Sequence, residues 1–305
     1  MSRVLMAVVV VLTVAAALAV NAMLVGLQTR PAVARSGGAL METAVVTANV
    51  KVEGEGPPIV LIHGIGAALD WWDAIAPGLS SDHRVIRLDL IGHGGTEAPG
   101  SGYAIARQAA LVKAVLDRLG VARTVVVGHS MGGEVATAFA AANPANVERL
   151  VLIDTPPKLE TAFDLKTRLG LMPLIGQGLW RVRTDAVLRQ ALTQGFAPGF
   201  PVPETFVADL WQLTYTVFHN AHGDSIAYVT EEGTPERLAA IEPVPPLLVI
   251  FGTEDALIAP SSAKLYEAVP GAKIVMVDGA GHSPMVEKPE QTLAAIRRFI
   301  DERTE

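Results

Sequence analysis

The chain has 305 residues, half of them apolar, enough for a large buried core and for one or two domains. Its formal net charge of −7, with no basic stripe, argues against nucleic acid as a partner. The absence of cysteine excludes disulfides, thiolate catalysis, thiolate metal sites and a lipidated N-terminal cysteine.

Residues 4–27, VLMAVVVVLTVAAALAVNAMLVGL, carry no charge and only Thr13 and Asn21 as clearly polar side chains. A helix needs about 20 residues to cross a bilayer, and the apolar region of a signal peptide usually runs only about 7–15. We therefore expect a membrane anchor over residues 1–28. The rival reading is a signal peptide cleaved near Ala34, since Ala32-Val33-Ala34 fits an A-x-A site. Arg3 and the terminal amine oppose Arg30 and Arg35 across the segment, so charge determines orientation weakly. The folded domain is expected on the non-cytoplasmic side.

Residues 29–43 read as a linker rich in Pro, Gly, Ser and Ala. An early hairpin strand follows at 44–52. Short apolar runs then occur at 59–62, 85–88, 125–127, 150–153, 247–251 and 274–277. Their lack of polar alternation predicts parallel strands covered on both faces. Helix patterns lie between them at 70–79, 105–119, 131–143, 261–268 and 289–301. Strand alternating with helix predicts a doubly wound α/β sheet with right-handed crossovers. The alternation stops from 157 to 242, which reads as a helical cap inserted into a core of 44–156 and 243–305. Such an insertion covers the C-terminal edge of the sheet, where these folds bind ligands.

The pentapeptide Gly128-His129-Ser130-Met131-Gly132 stands where a strand pattern becomes a helix pattern. It fits a nucleophile elbow, a turn so sharp that glycine is needed two residues either side of an exposed serine. A serine hydroxyl needs a base. His282, in the loop GAGHSPM after the last strand, is the candidate; His63 reads as a structural hydrogen-bonding residue. A histidine base needs a carboxylate to set its tautomer. Asp255 in FGTEDALI is favoured, with Glu254 and Asp154 as alternatives. Oxyanion donors are expected from the amides of Met131 and of Ile65, in the HGIG loop. His219 and His222 share an i, i+3 spacing, but read as cap packing rather than a metal site. No metal and no cofactor is expected.

HGIG, DLIGHGGT, GHSMGG and GTED…GAGH occur in this order from residue 63 to 282. In these motifs the chain resembles the α/β-hydrolase family, in its cap-bearing branch, from about Val45 to the C-terminus. The resemblance implies Ser130 as nucleophile, Asp255 as acid, His282 as base, and Ile65 and Met131 as oxyanion donors. It also implies that Asp89 and His93 are structural. An anchor ahead of such a domain is similar to membrane-bound monoacylglycerol lipases and implies esters with an apolar acyl group as substrates. Carbon–carbon bond hydrolysis of ring-cleavage products is the alternative, kept open by Arg168, Arg181, Arg183 and Arg189; haloperoxidase-like chemistry is another. Candidate lining residues in the cap are Leu171, Met172, Trp180, Phe196, Trp211, Tyr215 and Phe218.

Overall fold

The apolar strand runs are buried because helices cover both faces of the sheet they form. In the computed structural model, which describes residues 2–158, 169–172 and 174–302, eight strands join one sheet. They are β1 (Ala39–Glu42), β2 (Thr47–Glu53), β3 (Pro58–Ile62), β4 (Arg84–Leu88), β5 (Thr124–His129), β6 (Val147–Ile153), β7 (Leu247–Gly252) and β8 (Lys273–Val277). Their spatial order is β1-β2-β4-β3-β5-β6-β7-β8. From β4 onward every pairing is parallel, whereas β1 and β2 add an antiparallel edge.

The long helices are α1 (Arg3–Gly26), α2 (Ile105–Arg118), α3 (Met131–Ala142), the cap helices α4 (Ile175–Arg181), α5 (Asp185–Thr193), α6 (Glu204–Gln212), α7 (Tyr215–Glu231) and α8 (Thr234–Ala239), and α9 (Pro289–Asp301). Alternate strand residues feed two separate cores. Val60, Ile62, Leu150 and Leu152 pack with Val112, Val115 and Phe139 of α2 and α3. Ile59, Leu61, Val151 and Ile153 pack with Trp72, Ile296 and Phe299 on the other face. Period-two alternation thus exists in direction but not in polarity.

Three local expectations change. β1 lies within the segment read as linker, pairing Ala39 with Val50 and Glu42 with Thr47. It is a short, mostly exposed edge strand, so its sequence carries no apolar alternation. The helix expected over 70–79 is instead a 3₁₀ turn, Leu69–Trp72, and a separate turn, Ala76–Leu79. Pro77 cannot sit inside a continuous helix there, because its ring would clash with the carbonyl four residues back. Pro260–Ala268 is likewise 3₁₀ rather than α. The cap is all-helical among the described residues, as its sequence predicts.

Arg30 ties the segment after α1 to the core. Its backbone pairs with Ala98, and its guanidinium donates to the carbonyls of Gly92 and Thr96 at 3.2 and 2.9 Å.

Candidate active site

Ser130 sits between β5 and α3 with φ 53° and ψ −125°. A non-glycine residue held there stores roughly 1–3 kcal/mol of strain. The two flanking glycines explain how the turn closes. A Cβ on Gly128 would lie 2.4 Å from the Gly132 carbonyl oxygen, and one on Gly132 would lie 2.3 Å from that of Ile62. The Ser130 amide donates to Ile153 O at 2.8 Å, and its carbonyl accepts from Gly133 N at 2.8 Å. Backbone on both sides is fixed, while the Ser130 side chain stays half-buried between buried neighbours. The HGIG loop abuts it: a Cβ on Gly64 would be 3.0 Å from Ser130 Cβ. The amides of Ile65 and Met131 donate to no acceptor among the described residues. Met131 opens α3, where the helix dipole favours negative charge.

His282 and Asp255 meet from the loops after β8 and β7. The Nδ1–H of His282 donates to Asp255 Oδ2 at 2.7 Å, and both residues are 6 % exposed. This fixes the tautomer, leaving the Nε2 lone pair as the basic site. Asp255 Oδ1 accepts from the amides of Leu257 and Ile258 at 2.7 and 3.0 Å. Burial pushes the Asp255 carboxyl up, but the His282 imidazole and the Ile258 amide outweigh it and hold the group below its ordinary range. Glu254 is exposed and has no part in this contact.

Three residues at the site escaped sequence reasoning or were read differently. His129 donates from Nε2 to the backbone carbonyl of His282 at 2.7 Å. Burial and then the neighbouring His282 lower its pKa to about 3, so it is a neutral brace. Glu287 accepts from the amides of Gly281 and Ser283 at 3.0 and 3.1 Å and from Ala197 of the cap at 2.6 Å. It clasps the histidine loop to the cap. No motif marks it.

Asp154 is fully buried, with φ 42°, and accepts from Gly252 N at 3.0 Å. Its Oδ2 has no donor among the described residues. Burial, then the Asp255 carboxylate, push its pKa well above the ordinary range. Ligand-type atoms of Asp154, Asp255 and His282 all lie within 4.8 Å of one another. A cation is not needed to explain this grouping. The His282 nitrogen already donates to Asp255, and a proton on Asp154 accounts for the second carboxyl.

The remaining motif residues have structural partners. His63 donates from Nδ1 to Gly64 O at 2.7 Å and accepts from Leu90 N at 3.0 Å. Asp89 accepts from Leu69 N, Gly95 N and Asn49 Nδ2, each at 2.7 Å, and so holds the DLIGHGGT turn. His222 bonds Phe218 O within its own helix. Neither His219 nor His222 joins a cluster with metal-ligand spacing among the described residues.

The cap residues divide into two groups. Phe196 is buried and stacks in an aromatic group with Trp71 and Phe206, and Trp71 lies 6.5 Å from the His129 ring. A Cβ on Gly281 would meet the Phe196 backbone, so this part of the cap lies directly against the histidine loop. Trp180 packs on both Tyr215 and Phe218, and the Tyr215 hydroxyl donates to Met172 O at 3.4 Å. Trp211 donates to Asp185 Oδ1 at 2.6 Å and stacks on Arg183. Leu171 is half-buried, whereas Met172 and Trp211 are exposed. Arg168 lies outside the described residues.

The sequence profile of the alpha/beta hydrolase fold matches residues 57–289. The chain is 30 % identical over 277 residues to a 2-hydroxymuconate semialdehyde hydrolase of Pseudomonas putida, covering 83 % of this chain and 90 % of that protein. It is 27 % identical over 251 residues to esterase YbfF of Escherichia coli K12, covering 80 % and 93 %. Among solved structures, a bacterial membrane phospholipase A superimposes with a TM-score of 0.73 at 26 % identity, over 99 % of this chain and 98 % of that one. The elbow, the histidine–carboxylate pair and these matches agree: this chain belongs to the alpha/beta hydrolase fold family.

Proposed function

We propose that the protein is a membrane-anchored serine hydrolase that cleaves carboxylic esters bearing an apolar acyl group. Ser130 Oγ attacks the ester carbonyl while His282 Nε2 takes its proton. The Ile65 and Met131 amides stabilise the oxyanion. His282 then protonates the leaving alcohol, and the same base activates the water that releases the acid from the acyl-enzyme. Asp255 holds the imidazole tautomer and balances its transient charge. No cofactor takes part. The observation that carries this reading is the 2.7 Å contact from His282 Nδ1 to a carboxylate locked by two amides, with the His282 backbone tied to His129, the residue before the strained elbow serine.

Residues 1–28 form the anchor in this reading, 44–156 and 243–305 the catalytic core, and 157–242 the cap. The 24-residue α1 supports the anchor, as does a membrane phospholipase A that matches over 99 % of the chain. The catalytic domain lies on the non-cytoplasmic side.

The relative that hydrolyses 2-hydroxymuconate semialdehyde favours a second reading, carbon–carbon bond cleavage. Such substrates carry a carboxylate that calls for a free cation in the cap. Arg183 is stacked between Trp180 and Trp211, and Arg189 pairs with Glu204 at 2.7 Å, which weighs against these two in that role, while Arg181 is exposed and keeps this reading open. A panel of p-nitrophenyl esters of rising chain length separates the two. Turnover with a chain-length optimum is expected, and Ser130→Ala should lower kcat by roughly 10³-fold or more. Negligible ester turnover alongside rapid cleavage of a vinylogous diketone would favour the second reading.

A further inference from the structure

The docking of α1 against the cap has a consequence for where the cap sits. The least exposed residues in the C-terminal half of α1 are Leu18, Asn21, Ala22 and Val25, with Val25 only 1 % exposed. Their spacing marks one helical face. That face rests on the cap. A Cβ on Gly178 of α4 would lie 3.6 Å from Leu18 Cδ2, and Thr216 of α7 donates to Val25 O at 3.4 Å. The stretch from Arg3 to Ala17 is exposed on all sides.

At 1.5 Å per residue, those 15 free residues extend only about 22 Å. The hydrocarbon layer of a bilayer is about 30 Å thick. The free part of α1 therefore falls short by about 8 Å. The layer must continue over Leu18 and beyond, and so over the cap helix beside it.

The surface of the cap at that level suits hydrocarbon rather than water. Leu174, Ile175 and Leu179 are 42, 42 and 48 % exposed, and Val182 is 70 % exposed. A shallow, open groove of about 670 Å³ runs along α1, lined by Thr13, Ala17, Val20, Asn21 and Leu24, with Arg181 of α4 at its side. Of the polar groups within α1, Thr13 is compatible with immersion. It donates to Val9 O at 2.8 Å within its own helix, whereas Asn21, on the less exposed face, leaves its Nδ2 without a hydrogen-bond partner among the described residues. Arg181 lies within the apolar stretch from Leu174 to Val182, and Arg183, just beyond it, stacks on Trp211; cationic and aromatic side chains of this kind are found at the headgroup level.

We propose that α4 of the cap is embedded in the lipid leaflet beside α1, with Leu174, Ile175, Leu179 and Val182 against acyl chains and Arg181 reaching anionic headgroups. The partner is a lipid surface, and the proposal rests on reading α1 as a membrane anchor. The cap over Ser130 then meets its ester in the bilayer, with no transfer through water.

The chain has no cysteine, so single cysteines report position without background. Full-length Leu179→Cys, Val182→Cys, Val10→Cys and Met276→Cys proteins carry an environment-sensitive fluorophore. They are reconstituted in phosphatidylcholine–phosphatidylglycerol vesicles containing lipids spin-labelled along the acyl chain. The labels at 179 and 182 should be blue-shifted and quenched like the label at 10, while the label at 276, on β8, stays in water. Quenching at 10 with an aqueous signal at 179 and 182 overturns the proposal and leaves the anchor intact. An aqueous signal at 10 as well overturns both.

Discussion

At the scale of single residues, the site contains two carboxyls whose pKa values are pushed apart. Despite burial, His282 and two amides hold Asp255 below its ordinary range, and burial beside Asp255 pushes Asp154 well above its own, so the pair is expected to carry one charge. A neutral Asp154 can be replaced by its amide, since Asn keeps the acceptor for Gly252 N and offers a donor towards Asp255. We expect Asp154→Asn to retain kcat/KM within about threefold, while Asp255→Asn falls by about 10⁴-fold through the wrong histidine tautomer. Equal losses in steady-state kinetics would mean that Asp154 is ionised. The elbow position of Ser130 and the pairing of Asp255 with His282 were legible in the sequence because such residues stand at the ends of particular strands. His129 and Glu287 were not, because each acts by bracing the backbone of the histidine loop, a contact that leaves no pattern along the chain.

At the scale of elements, the cap helix α6 meets the core through carboxyls. Asp209 accepts from Trp71 Nε1 at 3.2 Å and faces Asp70, with Asp89 nearby. Asp70 is itself bonded to Ser36 Oγ at 2.8 Å. Burial, then the Asp70 carboxylate, push the Asp209 pKa up to about 8. A folded pKa above the unfolded value of 3.8 means that the folded protein keeps a proton the unfolded chain releases. The contribution is complete below about pH 4 and is lost as pH rises through about 8. Asp209→Asn should therefore raise Tm at pH 8.5 relative to the parent and leave it nearly unchanged at pH 4, as scanning calorimetry would show. A shift of the same size at both values would contradict this. The parallel strands were legible because burial on two faces leaves unbroken apolar runs. β1 and the broken 70–79 helix were not, because edge pairing and the break at Pro77 depend on neighbours and turns rather than on periodicity.

At the scale of the molecule, the parts are arranged in series from α1 to Ser130. α1 docks on the cap, the cap lies on the histidine loop through Phe196 and Ala197, and that loop bonds to the residue preceding Ser130. The α/β core and the helical insertion were readable from alternation and its interruption. The docking of α1 on the cap was not, since an apolar helix shows that it will be buried but not against what. The central claim is that Ser130 is the nucleophile of a hydrolase. The most direct measurement is peptide mass spectrometry after treating the full-length protein with a fluorophosphonate. The account predicts a single adduct on the peptide carrying Ser130, and no adduct on folded Ser130→Ala protein. An unlabelled Ser130 in correctly folded protein, or an adduct that persists in the variant, would contradict it.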